Sequence, residues 1–148
     1  MTDTRPWHAH VTVATVVERD GRFLMVQERA EGRTVINQPA GHLDQGESLI
    51  AAAERETREE TGWQVTVRGL IGASLFEAAN GVTYYRTSFF ADAIAEIPGA
   101  TLDTDIIQPL WLSREELLAR SDELRSELVL ATIDHYLAGH RYPLNLLY

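Results

Sequence analysis

The sequence predicts an α+β protein, because segments typical of strands and segments typical of helices both occur along its 148 residues. The dipeptides Asp20-Gly21 and Asn80-Gly81 each separate two segments rich in β-branched and aromatic residues, as in β-hairpins. Ser48 and Ser113 each precede a segment of helical character, where a serine side chain can cap the first turn. The predicted order is two strands, a helix, a strand-rich middle and two helices.

The N-terminal half is predicted to form a β-hairpin and a helix. Strands at residues 10–18 and 23–28 flank the Asp20-Gly21 turn. The helix begins after Ser48 and ends near Gly62, which can adopt the left-handed conformation that commonly terminates helices. Ile50, Ala53 and Thr57 fall on one side of this helix, so that side is expected to pack against a sheet.

The C-terminal half is predicted to form a β-meander, a loop, a last strand and two helices. Ser113 and Glu116 have the spacing of a capping box, which indicates where the first of these helices begins. The predicted strands lie at residues 64–74, 75–79, 83–94 and 107–112, the loop at 98–105, and the second helix at about 126–137.

The composition indicates one globular domain spanning residues 1–148 and excludes several classes of protein. Hydrophobic residues make up 45% of the chain and charged residues 24%, which is typical of a folded protein rather than a disordered one. Cysteine is absent, so disulfides and thiolate metal sites are excluded. The N-terminus lacks a signal-peptide pattern and no segment reaches the ~20 apolar residues of a membrane span, so we expect a cytoplasmic protein.

A formal net charge of −9 argues against binding to a nucleic-acid polymer, whose phosphate backbone attracts basic surfaces. An acidic protein can still bind phosphate groups where a divalent cation reverses the local field. The charge therefore predicts that any phosphate chemistry here depends on a metal ion.

Three glutamates near the end of the first predicted helix fall on one stripe of its surface, because successive residues rotate by about 100°. They are Glu56, Glu59 and Glu60. Like charges at positions i and i+4 destabilise a helix by roughly 0.2–0.5 kcal/mol per pair unless a positive group lies between them. Carboxylate oxygens suit hard cations such as Mg²⁺, Mn²⁺ or Ca²⁺. A solvated acidic face is the alternative explanation.

The surroundings of these glutamates resemble the Nudix box, the signature of hydrolases that cut a nucleoside diphosphate linked to another group. Every glycine, arginine and glutamate of the signature is present, whereas Thr57 and Trp63 stand where a bulky aliphatic residue is usual. The resemblance implies the Nudix fold, a mixed β-sheet sandwiched between α-helices. The matching residues are Gly41, Glu47, Arg55, Glu56, Glu59, Glu60 and Gly62.

The resemblance also implies a role for each of these residues. Glu56 and Glu60 are the implied principal metal ligands, joined by the main-chain carbonyl of Ala40. Glu59 is implied to be a ligand or the base that activates water. The residues implied to hold the loop and helix in register are Gly41, Glu47, Arg55 and Gly62.

One more carboxylate is implied on the loop before Trp111, where family members often add a metal ligand. Asp105 is the first candidate and Asp103 is its nearby rival. Each could equally be a solvated acid of an exposed loop.

Further segments narrow the resemblance to the NudJ-like phosphatase branch of the family. They are HVTVATVV and NQPAGHL in the first half of the chain and GHRYPLNLL at its end. This branch implies hydrolysis of nucleoside tri- and diphosphates and of thiamine-pyrimidine (HMP) pyrophosphate, with release of phosphate. The implied cofactor is Mg²⁺, with Mn²⁺ as the alternative.

Two other functions are weighed against this one. The first is a Nudix pyrophosphatase acting on another nucleoside-diphosphate-linked compound, and the second is a non-catalytic module that binds a nucleotide. The intact glutamates favour catalysis, since binding modules of the family usually lack some of them.

Three residues are candidates for contacts with a small nucleotide or pyrophosphate substrate. Arg29 could bind a phosphate, Gln38 a base or a phosphate, and Tyr85 or its neighbour Tyr84 could stack on a base. A surface or core position is the alternative for each. The oligomeric state is left open, because the apolar tail at residues 143–148 could cover the core of its own chain or a partner subunit.

Overall fold

A computed structural model describes residues 2–148 of the protein. Within these residues a mixed seven-stranded sheet carries three α-helices, which confirms the α+β class. The strands are β1 (His10–Arg19), β2 (Arg22–Ala30), β3 (Arg33–Asn37), β4 (Ala40–His42), β5 (Trp63–Glu77), β6 (Thr83–Glu96) and β7 (Ile106–Leu112). The helices are α1 (Leu49–Thr61), α2 (Arg114–Ala119) and α3 (Leu128–Leu137).

Strand β1 lies at the centre of the sheet. It pairs in parallel with β6 and antiparallel with β2 and β4, while the main strand order is β3-β2-β1-β6-β5. Successive side chains of a strand point to opposite faces. Val13 and Val17 therefore pack in one hydrophobic core with Ala52 and Ala53 of α1, whereas Val16 packs in a second core with Val129 of α3. The sheet thus lies between two helical layers, as predicted.

The predicted hairpin between β1 and β2 is confirmed, and a second hairpin follows it. Asp20 and Gly21 both have positive φ, 52° and 77°, as a tight primed turn requires. Glu31 and Gly32 repeat this geometry with φ of 52° and 78°, and join β2 to β3. Strands β3 and β4 were not predicted, because Glu-Gly is an unusual hairpin turn and a three-residue strand shows no periodicity.

The predicted break between residues 74 and 75 was wrong. Strand β5 runs without interruption from Trp63 to Glu77 and pairs with β6 across the turn at Asn80-Gly81. Its register with β6 shifts at three places, including near Gly69, where a Cβ would overlap the ring of Phe90. These irregularities let one long strand bend over the core.

Helix α1 begins and ends where the sequence predicts. The Ser48 hydroxyl accepts a hydrogen bond from the Ala51 amide at 3.1 Å, and Gly62 is left-handed with φ 73°. Ala53 and Thr57 are fully buried on its sheet-facing side, where the Thr57 hydroxyl donates to the Ala53 carbonyl at 2.7 Å. Replacing the usual aliphatic residue by Thr57 therefore leaves no buried hydroxyl without a partner.

The C-terminal tail packs on its own chain. The main chain of Tyr142 exchanges hydrogen bonds of 2.8 and 2.9 Å with Leu70 of β5, and Leu144 and Leu147 pack against the first core. In residues 2–148 no helix is both long and apolar enough to cross a membrane.

Candidate active site

The site begins where α1 crosses β4. Gly41 pairs with Val13 and so faces the α1 side of the sheet, where the Glu56 carboxylate lies directly against its α-carbon. A Cβ at residue 41 would overlap this carboxylate. The box glycine is therefore required by close packing, and it positions the side chain of Glu56.

Three carboxylates converge beside this contact. Ligand atoms of Glu56, Glu59 and Asp103 all lie within 4.8 Å of one another. The loop reaches the helix because the Asp103 amide donates a hydrogen bond to the Glu59 carbonyl at 3.0 Å. Asp103 thus enters the cluster, whereas Asp105 instead accepts a hydrogen bond from the Arg29 amide through its carbonyl, at 2.9 Å. An all-oxygen cluster of this size suits a hard divalent cation.

Arg55 balances the charge of the cluster. Its guanidinium donates two hydrogen bonds to Glu47, at 2.7 and 2.9 Å, and one to each of Glu56 and Glu59, at 2.9 and 3.1 Å. It also donates to the His42 carbonyl at 3.1 Å. One planar side chain therefore ties helix α1 to the loop on either side of Glu47, and it separates two carboxylates that would otherwise repel each other.

Glu60 lies deeper than the other box glutamates. Its side chain is buried and accepts a hydrogen bond from the Ala40 amide at 2.7 Å. Burial, together with the charges of Glu28, Glu56 and Asp103, raises the pKa of Glu60 to about 9 against the opposing effect of the Ala40 hydrogen bond. Burial also raises the pKa of Glu56, although Arg55 opposes it. Both shifts apply to the protein without a bound metal ion.

Glu28 was missed by the sequence analysis. Glu28 is buried, and its charge acts on Glu60. Its carboxylate accepts a hydrogen bond of 2.6 Å from Arg125, which lies 97 residues later in the chain. No local pattern links two residues so far apart. A charged residue at a buried position of a strand was the available signal.

A cavity of about 530 Å³ opens on the opposite, α3-facing side of the sheet. It borders Ala40, Gly41 and His42, so it meets the box loop that also supports the acidic cluster. Its other lining residues are Thr12, Ala30, Glu31, Arg33, Val35, Asn37, Phe76, Ala78, Ala79, Tyr84, Arg86, Arg125, Ser126, Glu127 and Leu128. A volume of this size is typical of small-molecule sites.

The three predicted substrate contacts do not line this cavity. Tyr85 is exposed on the opposite face of β6, whereas its neighbour Tyr84 lines the cavity because strand side chains alternate. Arg29 is exposed at the end of β2. Gln38 is fully buried, donating to the Val129 carbonyl at 2.7 Å and accepting from Arg86 at 2.8 Å. Gln38 therefore orients Arg86.

The comparison with known proteins agrees with the fold. The sequence model of the NUDIX domain matches residues 6–132. The chain therefore belongs to the Nudix family: it is a hydrolase of phosphoanhydride bonds, from a family that uses divalent metal ions.

Individual relatives narrow this assignment. The chain is 41% identical over 138 residues to Phosphatase NudJ of Escherichia coli K12, and the same identity is found with Phosphatase NudJ of Shigella flexneri. The match spans 93% of this chain and 90% of those proteins. A solved NUDIX hydrolase from Nitrosomonas europaea is 41% identical and superimposes with a TM-score of 0.93 over 95% of this chain and 97% of that one. The predicted likeness to NudJ is thus confirmed.

Proposed function

We propose that residues 1–148 act as a single Mg²⁺-dependent hydrolase domain that cleaves phosphoanhydride bonds of nucleoside tri- and diphosphates and releases orthophosphate. The observation that carries the proposal is the convergence of Glu56, Glu59 and Asp103 beside Gly41. Thiamine-pyrimidine (HMP) pyrophosphate is a further proposed substrate, supported by the likeness to proteins named Phosphatase NudJ. A cytoplasmic location stays a prediction.

The donor set fits Mg²⁺, with Mn²⁺ as the alternative, because every available side-chain ligand is a carboxylate oxygen. Glu56, Glu59 and Asp103 would hold the ion, joined by Glu60 and the carbonyl of Ala40. When bound, the ion would neutralise phosphate charge and lower the pKa of a coordinated water. Asp105, which lies two residues beyond Asp103, stays the alternative loop ligand.

The residues of the chain would divide the remaining work. Glu59 is the most exposed of the four box glutamates, with 38% of its side chain accessible, so it can reach a water molecule. We assign it the role of orienting that water and accepting its proton as the oxygen attacks phosphorus. Arg55 would hold Glu56 and Glu59 apart, and Glu47 would hold Arg55.

The proposal is tested by incubating the protein with nucleoside di- and triphosphates and with thiamine-pyrimidine pyrophosphate, in Mg²⁺ or in EDTA, and measuring orthophosphate and pyrophosphate separately. Orthophosphate release that needs Mg²⁺ and is lost in Glu59→Gln supports the proposal. Glu54→Gln is the matched control, since Glu54 lies on the same helix but contacts the Val67 amide instead. Pyrophosphate as the product would contradict the NudJ-like activity, and no product with any compound would favour a binding module.

A further inference from the structure

The inner end of the cavity contains a charge that the metal site does not explain. Arg86 lies on β6 opposite Thr12 of β1, and only 7% of the residue is exposed. Its Nη2 donates to Gln38 at 2.8 Å and to the Thr132 hydroxyl at 3.5 Å, both of them neutral groups. Among residues 2–148 no carboxylate forms a salt bridge with it, and its Nε is buried without a hydrogen-bond partner.

A buried cation without a counter-charge is costly, so such groups are normally paired. Burial and the nearby positive charge of Arg125 lower the pKa of Arg86 to about 10, and the side chain is therefore still charged at neutral pH. Arg86 therefore has no anionic partner among residues 2–148. The Oδ1 of Asn37, also in the cavity wall, is a second buried atom without a partner.

Other groups around the cavity favour an anion at the same place. Arg125 and Arg33 line it, and the first residues of α3 approach it, so the positive end of the helix dipole points that way. Glu31 and Glu127 also line the cavity and, like Arg33 and Arg125, are exposed, so the four charges at its rim balance, whereas the charge of Arg86 is buried. The inside of the cavity is therefore more positive than its rim.

The cavity also offers an aromatic wall. Phe76 and Tyr84 are cross-strand partners on β5 and β6, and Tyr84 lies two residues before Arg86 on the same face of the strand. Ala78, Ala79 and Leu128 provide further apolar surface. An aromatic ring and an anionic group can thus be held a few ångströms apart.

Arg125 connects this cavity with the acidic cluster. Its guanidinium is held by Glu28, and the charge of Glu28 acts on Glu60. An anion bound by Arg125 would thus lie on the side of the cavity that leads to Glu28 and Glu60.

We propose that the cavity binds the nucleoside monophosphate unit of the substrate, with its phosphate on Arg86 and Arg125 and its base against Tyr84 and Phe76. This inference rests on the proposed function for the identity of the substrate. Arg86 is then a specificity-determining residue, which selects substrates that carry a phosphate next to an aromatic heterocycle.

The test uses binding without metal, so that it does not depend on catalysis. Adenosine monophosphate, cytidine monophosphate, adenosine, cytidine and inorganic phosphate are titrated calorimetrically into the full chain in EDTA. Wild-type protein should bind the monophosphates at least about tenfold more tightly than the nucleosides, as expected for a charged hydrogen bond. Arg86→Met should remove that preference, Arg86→Lys should keep part of it, and Arg68→Gln, an exposed arginine paired with Asp92, should leave it unchanged.

Four results would overturn the inference. They are no binding of a monophosphate by wild-type protein in EDTA, equal binding of monophosphates and nucleosides, an unchanged preference in Arg86→Met, and an equal loss of nucleoside binding in that variant. If Arg86→Met does not fold, Arg86→Lys and competition by inorganic phosphate, compared with chloride at the same ionic strength, decide the question. Failure of the proposed function would instead appear as Mg²⁺-independent or absent hydrolysis with monophosphate binding intact.

Discussion

The candidate functional residues on the two faces of the sheet carry opposite charge, and they are distributed differently along the sequence. On the α1 side, Glu56, Glu59 and Asp103 converge within one helix and the loop beside it. On the α3 side, Arg86 and Arg125 come from a strand and a loop far apart in the chain. Charged residues that cluster on a single helix can therefore be predicted from their spacing in the sequence, whereas the residues of a cavity assembled by strand pairing cannot.

The largest expected effect is a loss of kcat after a substitution on the α1 side of the sheet. Glu59→Gln keeps the size of the side chain but cannot accept a proton, so kcat should fall by roughly 10²–10⁴-fold, as is typical of a lost general base. Steady-state kinetics in saturating Mg²⁺ measure it. A kcat within a few-fold of wild type would remove Glu59 from the chemistry.

Packing around Gly41 provides the next test. Gly41→Ala should displace the Glu56 carboxylate, because the new methyl group would occupy its position, and metal affinity should fall on the order of 10–100-fold. Calorimetric titration with Mn²⁺ measures this affinity. Gly72→Ala is the control, since the nearest atom to its methyl group, on His135, would be at an ordinary 3.6 Å. An equal loss in both variants would mean a general effect on the sheet.

Arg55→Lys sharpens the distinction between ligands and the residues that position them. Lysine keeps the charge but not the planar fork that contacts Glu47, Glu56 and Glu59 together, so metal affinity should drop about tenfold. Arg58→Lys, at an exposed position of the same helix, should leave the affinity unchanged. A normal affinity in Arg55→Lys would show that charge alone suffices.

The buried carboxyl of Glu60 should make the metal-free protein sensitive to pH. Its pKa is about 9 in the folded chain against an ordinary 4.5, so the folded state holds an extra proton between these values. The stability this proton provides is complete below pH 4.5 and is lost as the pH rises through about 9, at up to about 1.4 kcal/mol per pH unit.

Thermal unfolding in EDTA from pH 5.5 to 9.5 measures this effect. Wild-type Tm should fall relative to Glu60→Gln as the pH rises, because the amide cannot lose a proton. Parallel curves for the two proteins would mean that Glu60 does not titrate in this range.

The smallest expected effect lies outside both sites. Ser48→Ala removes the cap of α1 and should cost about 1 kcal/mol of stability, measured by urea unfolding. Metal affinity should be nearly unchanged, since the carboxylates lie at the other end of the helix. A larger loss of affinity than of stability would contradict this separation.

The sequence predicted most of the elements that have local signals. The helix between Ser48 and Gly62, the hairpin at Asp20-Gly21 and the turn at Asn80-Gly81 all have residues whose conformation determines a boundary. Strands β3 and β4 are too short or too polar to show a pattern.

The substrate contacts were harder to predict for a different reason. Choosing between Tyr84 and Tyr85 requires knowing which face of β6 meets the cavity, and that depends on the parallel pairing with β1. Arg86 gave no signal either, because its burial follows from α3 packing over the sheet.

The most direct test of the account is a comparison of Glu59→Gln and Arg86→Met on the same nucleoside triphosphate. We expect Glu59→Gln to lower kcat with KM nearly unchanged, and Arg86→Met to raise KM about tenfold or more with kcat within a few-fold of wild type. A lowered kcat with unchanged KM in Arg86→Met would contradict the assignment of chemistry to one face of the sheet and substrate binding to the other.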